Sequence, residues 1–339
     1  MGKHIGLSLL IIFLLFFIPW LWAPDAPADS EEPPPPAAGD PPEQEPPQEP
    51  ETPAGLDAAR TLRVKIGDVL QEMDFAAYLT GVVRAEMPAS FELEALKAQA
   101  AAARTYVIHK MRNGGSPNHP EADACDDITC CQAYLSQADA AAGWGPAAAV
   151  YEAKIRQAVA ETDGQCVLYQ GEPVLAAFHS SSAGMTQDAA NVWSGSVPYL
   201  QSVESPEDET TVPNYHSSAS FSAAELKARL QEALPEADLS GTPSNWFTNI
   251  QQQSNGTVTS LSVGGVSLTG NRLRTILELR SACFTMAFQE DTVTFSVTGY
   301  GHGVGMSQYG ANVLAAGGMD YREILTWYYS GAEVDTWTE

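Results

Sequence analysis

The chain opens on a long apolar run, and shorter helical and strand patterns follow after a polar break. Ile5 to Ala23 contains 19 residues without a charge. A helix of that length rises about 28 Å, close to the thickness of a bilayer core. Lys3 precedes the run, and Trp20 and Trp22 lie near its end, where interfacial aromatics occur. The pattern predicts a transmembrane anchor over residues 5–23, with residues 1–4 cytoplasmic and the rest extracytoplasmic.

A cleaved signal peptide is the alternative interpretation of this run. Ala23 and Ala26 are small residues that a signal peptidase accepts, but a proline follows each of them, which is a poor context for cleavage. The anchor is therefore favoured, and both interpretations export the body.

A proline-rich and acidic tract follows the anchor. Residues 24–53 hold twelve of the 23 prolines and nine acidic residues without a basic one. Such a composition cannot form a core, and at about 3.1 Å per residue it reaches up to roughly 90 Å. The sequence predicts a linker over 24–57, which lets the body over 58–339 work away from the membrane.

The body alternates helical and strand patterns, which predicts an α+β fold with a long Ala-rich helix, β-hairpins and a glycine-rich loop. The predicted helices are Phe75–Glu86, a long helix from an N-cap at Ser90 to about Met111, Pro146–Ala160, Ser222 to about Leu234, and Tyr321–Tyr329. The predicted strands are Val167–Tyr169 and Val174–Phe178, which form a hairpin, followed by Thr257–Val263, Thr285–Phe288 and Thr292–Val297.

Charge limits the classes of partner. The chain has 17 basic and 42 acidic residues and a formal charge of −25. Without Lys3 and the acids of 24–53, the body still carries −17. This balance argues against a nucleic-acid partner, which requires clustered Lys and Arg. It also argues against an anionic membrane surface as the main target.

Glu86 is the first candidate for chemistry. It lies at the end of a predicted helix between apolar neighbours, and a carboxyl desolvated there can donate a proton near neutral pH. The alternative is an ordinary surface glutamate.

The long helix carries three further polar candidates, which are Lys97, Gln99 and Arg104. Lys97 and Arg104 share a face of this helix. The alternative interpretation is that this face is simply solvated.

Two loops carry further polar candidates. His179 and Ser181 follow the hairpin, where a substrate-binding loop is favoured over a nucleophile, because adjacency in sequence does not place a base on a hydroxyl. The glycine-rich segment 299–310 lacks the ending of a nucleotide-binding loop. Its His302, Gln308 and Tyr309 suit the hydroxyl and amide groups of a sugar.

His119, Cys125, Cys130 and Cys131 lie within thirteen residues. Four soft ligands of this kind can enclose one structural Zn²⁺ and leave no open position for catalysis. Disulfides are the alternative outside the cytoplasm, although adjacent cysteines do not pair easily with each other. Cys166 and Cys283 form either a separate disulfide or two buried thiols, and the odd count of five leaves at least one cysteine unpaired.

With these motifs in view, the chain resembles the stage II sporulation protein D family (SpoIID/LytB-type domains) from about residue 60 to 339. The resemblance rests on several motifs in order: Gly81–Pro88 with its Glu86-Met87-Pro88, Glu94–Tyr106, Phe178–Thr186, Ser205–Asp208 and Gly301–Gly310. Ala183 departs from the second glycine that the family usually has in its loop.

The resemblance implies a lytic transglycosylase of peptidoglycan. It would cut the N-acetylmuramic acid to N-acetylglucosamine bond of strands stripped of stem peptides, in forespore engulfment, beside a sporulation amidase and a recruiting membrane protein. It implies Glu86 as the catalytic residue and no catalytic cofactor. We expect the groove to be lined by Lys97, Gln99, Arg104, His179, Ser181, His302, Gln308 and Tyr309, with Lys97 and Arg104 meeting the lactyl carboxylates of the strand.

Three alternatives remain at this point. A non-catalytic glycan-binding scaffold for the amidase would use the same loops and the same linker. A hydrolytic muramidase would need a second acid, for which Asp188 and Asp208 are candidates. A zinc amidase is disfavoured, because the one metal-like cluster is predicted to be closed.

Overall fold

The computed structural model describes residues 55–193 and 195–338, which form helices and small sheets, so the α+β class is confirmed. The helices are α1 (Phe75–Glu86), α2 (Leu93–Arg112), α3 (Gln137–Trp144), α4 (Ala148–Ala160), α5 (Ala189–Val192), α6 (Ala223–Ala233), α7 (Gly270–Leu277), α8 (Gln308–Ala316) and α9 (Tyr321–Tyr328). The strands are β1 (Thr61–Ile66), β2 (Val69–Asp74), β3 (Ala124–Cys125), β4 (Gln165–Tyr169), β5 (Glu172–Pro173), β6 (Phe178–His179), β7 (His216–Ser222), β8 (Phe247–Gln252), β9 (Val258–Val263), β10 (Val266–Thr269), β11 (Phe284–Gln289), β12 (Thr292–Thr298), β13 (Met306–Ser307) and β14 (Glu333–Thr336).

The predicted N-terminal segments 1–4 and 5–23 lie outside the described residues, as does most of the predicted linker 24–57. Among the residues that the structure describes, no helix is long and apolar enough to cross a membrane. The described end of the linker contacts the body, because the backbone N–H groups of Leu56 and Asp57 donate to the Asp163 carboxylate at 2.7 and 2.9 Å.

A proline fixes the end of α1. Asp74 caps the start of the helix by accepting a hydrogen bond from the Ala77 N–H at 2.7 Å. Pro88 disfavours helical torsions in the residue before it, and Met87 is accordingly extended (φ −121°, ψ 143°). The helix therefore ends at Glu86, as the sequence predicts, and the chain turns away directly after that carboxyl.

The long helix α2 lies at the centre of the larger core. It contacts α1, α4, α8, α9 and β4, and its run of alanines is buried. The predicted N-cap at Ser90 is wrong. Residues 88–91 form a turn, closed by the Phe91 N–H and the Pro88 carbonyl, so the helix begins only after Glu92.

The strands of the described residues form five small sheets, with strand orders β2-β1-β3, β10-β9-β8, β11-β12-β7, β13-β6 and β14-β4-β5. The sheets that contain β7 to β12 pack with α6 and α7 around a second hydrophobic core. In the sequence this second lobe is an insertion, because residues on both sides of it contribute to the larger core. The insertion brings the chain back as β13, which pairs in parallel with β6.

Local sequence signals predict several of these elements correctly. The hairpin of β4 and β5 turns at Gln170 and Gly171, which both have positive φ. The placement of its second strand at Val174–Phe178 is wrong, because that strand is Glu172–Pro173, directly after the turn. The capping box of Ser222 and Glu225 opens α6, and a second box of Asp320 and Glu323 opens α9. Helix α3 was not predicted, and α4 starts at Ala148, after a short 3₁₀ turn, rather than at Pro146.

Replacement of Arg104 by methionine tests how strongly the core depends on its ion pair. The Arg104 guanidinium and the Asp57 carboxylate are both buried and 2.6 Å apart, so Arg104→Met leaves a buried carboxylate without its cation. We expect a loss of about 3–5 kcal/mol in the free energy of unfolding, measured by urea denaturation. Arg63→Met is the control, because Arg63 pairs with Asp123 at the surface, and it should cost far less. Equal losses in the two variants would contradict the structural role of Arg104.

Candidate active site

The Glu86 carboxyl lies where three parts of the chain meet: the end of α1, the loop after the cysteines and the start of α8. The backbone N–H of Ala133 donates to Glu86 Oε1 at 3.1 Å, and the Gln308 side-chain amide donates to Glu86 Oε2 at 3.3 Å. The carboxyl is half-buried. Two uncharged donors therefore fix its orientation while one side stays accessible.

Burial raises the pKa of Glu86, and the hydrogen bonds from Ala133 and Gln308 oppose that rise without cancelling it. The group therefore holds its proton to a higher pH than an ordinary glutamate does. A carboxyl of this kind can donate a proton and, once ionised, can accept one.

Gln308 connects Glu86 to the central helix. Its side-chain Nε2 also lies 3.4 Å from Oε1 of Gln99, which α2 places in the core with no solvent exposure. Within the described residues, Gln99 Nε2 has no hydrogen-bond partner. A buried donor without a partner is costly, so this amide is available to an oxygen that enters the site.

A buried carboxylate that was not among the predicted site residues supports the start of α8. Glu207 is 2% exposed and accepts hydrogen bonds from the Ser182 N–H and the Ser307 hydroxyl at 2.5 Å, and from the Ser205 hydroxyl at 2.6 Å. Ser307 also caps α8 by accepting from the Gly310 N–H at 3.2 Å. Glu207 thus positions the helix whose first residue is Gln308. The segment Ser205–Asp208 marked the family resemblance, but burial of its glutamate depends on contacts far apart in sequence.

The two predicted residues of the 178–186 loop are buried beside this network. The His179 ring donates from Nδ1 to the Val304 carbonyl at 3.2 Å, so Nε2 accepts from the Ser182 hydroxyl at 2.8 Å. Burial lowers the pKa of His179 to about 3, with the nearby His302 adding to the effect, so the ring is neutral at physiological pH. Ser181 is buried too, and its hydroxyl has no partner among the described atoms.

The glycine-rich segment runs from the second lobe to Glu86. Its Tyr309 packs edge-on against Phe91 with ring centroids 4.9 Å apart, and its N–H donates to the Ser180 carbonyl. His302 lies at the other end of the segment, 5.6 Å from the Trp193 ring. The structure therefore brings Gln99, Gln308 and Tyr309 to the surroundings of Glu86, and places His302 farther along the same segment.

Lys97 and Arg104 do not join this group, which corrects their expected place in a substrate groove. The Lys97 ammonium is neutralised by Glu94 at 2.7 Å and Glu161 at 2.5 Å. The Arg104 guanidinium is fully buried against Asp57 and the Gln165 carbonyl. Both cations are satisfied inside the fold, so neither is available for a carboxylate of a ligand.

Three of the four predicted metal ligands come together. In the described part of the chain, the sulfurs of Cys125, Cys130 and Cys131 lie within 4.8 Å of one another, at separations of 3.5, 3.7 and 2.7 Å. A tetrahedral zinc site with bonds of about 2.3 Å would separate its sulfurs by about 3.8 Å, which two of these distances approach. His119 is not a member of the group, and its ring faces Glu121 at 3.8 Å.

The two remaining cysteines are separate thiols. Cys166 lies on β4 in the larger core, and Cys283 precedes β11 in the second lobe. Of the two alternatives, the structure has two thiols and no disulfide between them.

The pKa of Glu86 should respond to Gln308 in a defined direction. Gln308→Leu removes a donor that favours the ionised carboxyl and adds apolar surface, so the pKa should rise above its wild-type value. NMR titration of carboxyl-labelled glutamate measures it, with Glu86→Gln assigning the signal. Gln201→Leu is the control, because Gln201 is exposed and its side-chain amide donates to the Pro198 carbonyl in its own loop, and it should not change the pKa. A lower pKa in Gln308→Leu would refute the arrangement.

Comparison with known proteins places this site in a family. The family profile described as "Stage II sporulation protein" (SpoIID) matches residues 65–169. The chain is 34% identical over 326 residues to stage II sporulation protein D of Bacillus subtilis, covering 96% of this chain and 92% of that protein. It is 35% identical over 284 residues to stage II sporulation protein D of Bacillus amyloliquefaciens, covering 84% of this chain and 79% of that protein.

A further relative is named for a different role. It is an amidase enhancer of Bacillus subtilis, 29% identical over 311 residues, which cover 76% of this chain but 40% of that protein. The two sporulation relatives are more than 30% identical to this chain, and the matches cover 92% and 79% of their lengths. This chain therefore belongs to the stage II sporulation protein D family.

Proposed function

We propose that this protein is a peptidoglycan lytic transglycosylase. It cleaves the N-acetylmuramic acid to N-acetylglucosamine bond of glycan strands stripped of stem peptides, and leaves 1,6-anhydro-muramic acid ends. The observation that carries the proposal is the state of Glu86, a half-buried carboxyl with a raised pKa whose described hydrogen bonds come from two amide groups. Family membership and the relatives' names support a role in sporulation, which we assign to forespore engulfment.

The mechanism needs one protein carboxyl. Glu86 in its protonated form donates to the glycosidic oxygen as the bond from the muramic acid anomeric carbon to that oxygen breaks. The 6-hydroxyl of the same muramic acid attacks the anomeric carbon, and the Glu86 carboxylate accepts the hydroxyl proton. The attack is intramolecular, so it has a high effective concentration and needs no bound water.

A hydrolase would need a second carboxylate for a water molecule or for a covalent intermediate. The two candidates from the sequence are engaged in local caps. Asp188 accepts from the Ala190 N–H at 2.8 Å, and Asp208 binds the N–H and hydroxyl of Thr210 at 2.9 and 2.6 Å. Because Asp188 and Asp208 already accept these local hydrogen bonds, they support a mechanism that uses Glu86 as its single carboxyl.

The proposed setting is the cell wall outside the membrane. An anchor over residues 5–23 and a linker after it would hold the catalytic body beside the glycan strands. The name of the amidase enhancer relative supports a wall amidase as a partner, since an amidase produces stripped strands. A membrane protein that recruits both enzymes completes the proposed complex.

Glu86→Gln tests the reaction. The substitution keeps the shape of the side chain and removes the exchangeable proton, so we expect turnover to fall by at least about 100-fold. The full-length protein is incubated with amidase-treated peptidoglycan, and the products are examined by mass spectrometry. Glu72→Gln is the control, because it removes an exposed carboxylate from β2 and should leave turnover unchanged.

The mass of the product ends separates the alternatives. Anhydro ends from the wild type but not from Glu86→Gln support the proposal. Reducing ends, heavier by one water, would establish a hydrolase. Intact strands that co-sediment with the wild-type protein would establish the non-catalytic scaffold, and full activity of Glu86→Gln would overturn the role of Glu86.

We also propose that Cys125, Cys130 and Cys131 hold a structural zinc ion. The Lys110 ammonium lies 3.4 and 3.1 Å from the sulfurs of Cys130 and Cys131. Burial opposes a lower pKa for Cys130, but its hydrogen bonds and the Lys110 charge prevail, so the pKa of Cys130 is lowered. The ion would tie the loop at 125–131 in place and so support Ala133, whose N–H holds Glu86. Its contribution is to stability and positioning.

Metal analysis and thermal unfolding test the zinc site. We expect about one zinc per chain in the wild type, loss of that zinc in Cys130→Ser, and a lower melting temperature after chelation. Cys166→Ser is the control, because Cys166 lies outside the cluster, and it should keep the metal. A chain without zinc in which two of these three cysteines resist alkylation until they are reduced would establish a disulfide instead.

A further inference from the structure

Two arginines of the second lobe have no carboxylate partner. Arg274 and Arg280 are half-buried, and none of the described carboxylates lies within 4.0 Å of their guanidinium groups. By contrast, the buried guanidinium groups of Arg84 and Arg104 are each neutralised at 2.6 Å. Arg84 pairs with Glu152, and Arg104 pairs with Asp57. In a body with a formal charge of −17, two cations without partners form a local site for an anion.

The two arginines belong to one cluster. The Arg274 Nε donates to the Arg280 carbonyl at 3.1 Å, and the Arg280 guanidinium lies 4.4 Å from the centre of the Tyr300 ring. Within the described structure, Arg280 Nε is buried and has no hydrogen-bond partner. The cluster therefore contains two positive charges without a described carboxylate partner, and one buried donor without an acceptor.

One exposed aromatic ring, that of Tyr300, lies against the Arg280 guanidinium, and a second, that of Trp193, is connected to Arg274 through His302. Tyr300 is 47% exposed and Trp193 is 37% exposed. Trp193 lies against His302, whose pKa is lowered to about 4 by burial and by the charge of Arg274. His302 is therefore neutral at physiological pH, and the Arg274 charge is close enough to act on this part of the surface. Apolar ring faces next to unpaired cations suit a sugar that carries a carboxylate.

The cluster is linked to the proposed active site by a short stretch of chain. Tyr300 pairs with Ser181, Ser307 pairs with His179, and the next residue, Gln308, holds Glu86. Tyr300 and Gln308 are eight positions apart in the sequence, so their Cα atoms are separated by at most about 28 Å. An extended oligosaccharide can cover such a separation.

We propose that Arg274 and Arg280, with the rings of Tyr300 and Trp193, form a subsite for a muramic acid residue and bind the carboxylate of its lactyl group. This inference rests on the proposed function. The lactyl carboxylate is charged only in a stripped strand, because in an intact strand the same carboxyl is bound as an amide to the stem peptide. Guanidinium groups pair with a carboxylate through two parallel hydrogen bonds and gain no such pair from an amide. The subsite therefore selects stripped strands by charge.

Binding measurements with charged and neutral strands test the subsite. Soluble amidase-stripped strands are compared with the same strands after methyl esterification of the lactyl carboxylates. Affinities are measured by titration calorimetry with the full-length Glu86→Gln protein, so that no strand is cut. We expect Arg274→Gln and Arg280→Gln each to weaken binding of the charged strands by about tenfold and to leave the esterified strands unaffected.

Two further variants act as controls. Arg272→Gln removes an exposed arginine from the same helix and should leave both affinities unchanged. Arg274→Lys keeps the charge but not the paired hydrogen bonds, so it should bind charged strands more weakly than the wild type and more tightly than Arg274→Gln, which separates loss of charge from a folding defect. Equal losses on charged and esterified strands, or no loss on either, would overturn the subsite.

The result is independent of the proposed reaction. If charged strands bind through the two arginines but the wild type produces no anhydro ends, the reaction is refuted and the subsite stands. If anhydro ends form but esterification does not weaken binding, the reaction stands and the subsite is refuted.

Discussion

Burial of the long helix α2 constrains the rest of the structure. From Ala95 to Ile108 its side chains are buried, apart from the half-buried Lys97 and Tyr106. A helix enclosed in this way cannot leave polar side chains to water, so each needs a partner from elsewhere in the chain. Arg104 obtains Asp57, and the Thr105 hydroxyl accepts from the Val167 N–H at 2.9 Å. These partners fix the start of the body and strand β4 against the helix.

Gln99 is the polar residue of this helix whose needs are only partly met. Its carbonyl oxygen receives Gln308, while its N–H₂ group has no described partner. Natural proteins keep buried polar groups without a protein hydrogen-bond partner mainly where a ligand or a water molecule supplies the missing bond. The Gln99 amide lies next to Gln308, which holds Glu86. The unsatisfied amide of Gln99 and the raised pKa of Glu86 therefore point to the same region of the structure.

Elements that depend on neighbouring residues were predictable from the sequence. Pro88 determines the last residue of α1, and the Ser222 and Asp320 boxes determine the starts of two helices. The predicted Ser90 cap failed because an alternative local turn, between Pro88 and Phe91, uses the same residues. Sequence spacing cannot decide between two local conformations of similar energy when tertiary contacts select one of them.

The residues around the site were predictable only in part, because charge pairing depends on long-range contacts. Lys97 and Arg104 do share a helix, as their spacing indicates, but the acids that neutralise them come from Glu161 and Asp57. No periodicity reveals such pairs. The role of Glu207 could not be predicted for the same reason, because its hydrogen-bond donors come from three separate segments of the chain. Arg274 and Arg280 differ from Arg84 and Arg104 because none of the described carboxylates pairs with them, which only the folded structure can reveal.

Glu86 and Glu207 show how one fold places two glutamates in different surroundings. Glu207 is buried, and its side-chain oxygens accept three short hydrogen bonds, two from hydroxyl groups and one from a backbone N–H. Glu86 is half-buried and receives two longer bonds from amides. A lysine or arginine at the position of Gln308 would favour the charged form and lower the pKa of Glu86. Because an uncharged amide occupies that position, the effect of burial prevails, and the pKa of Glu86 stays above its usual value.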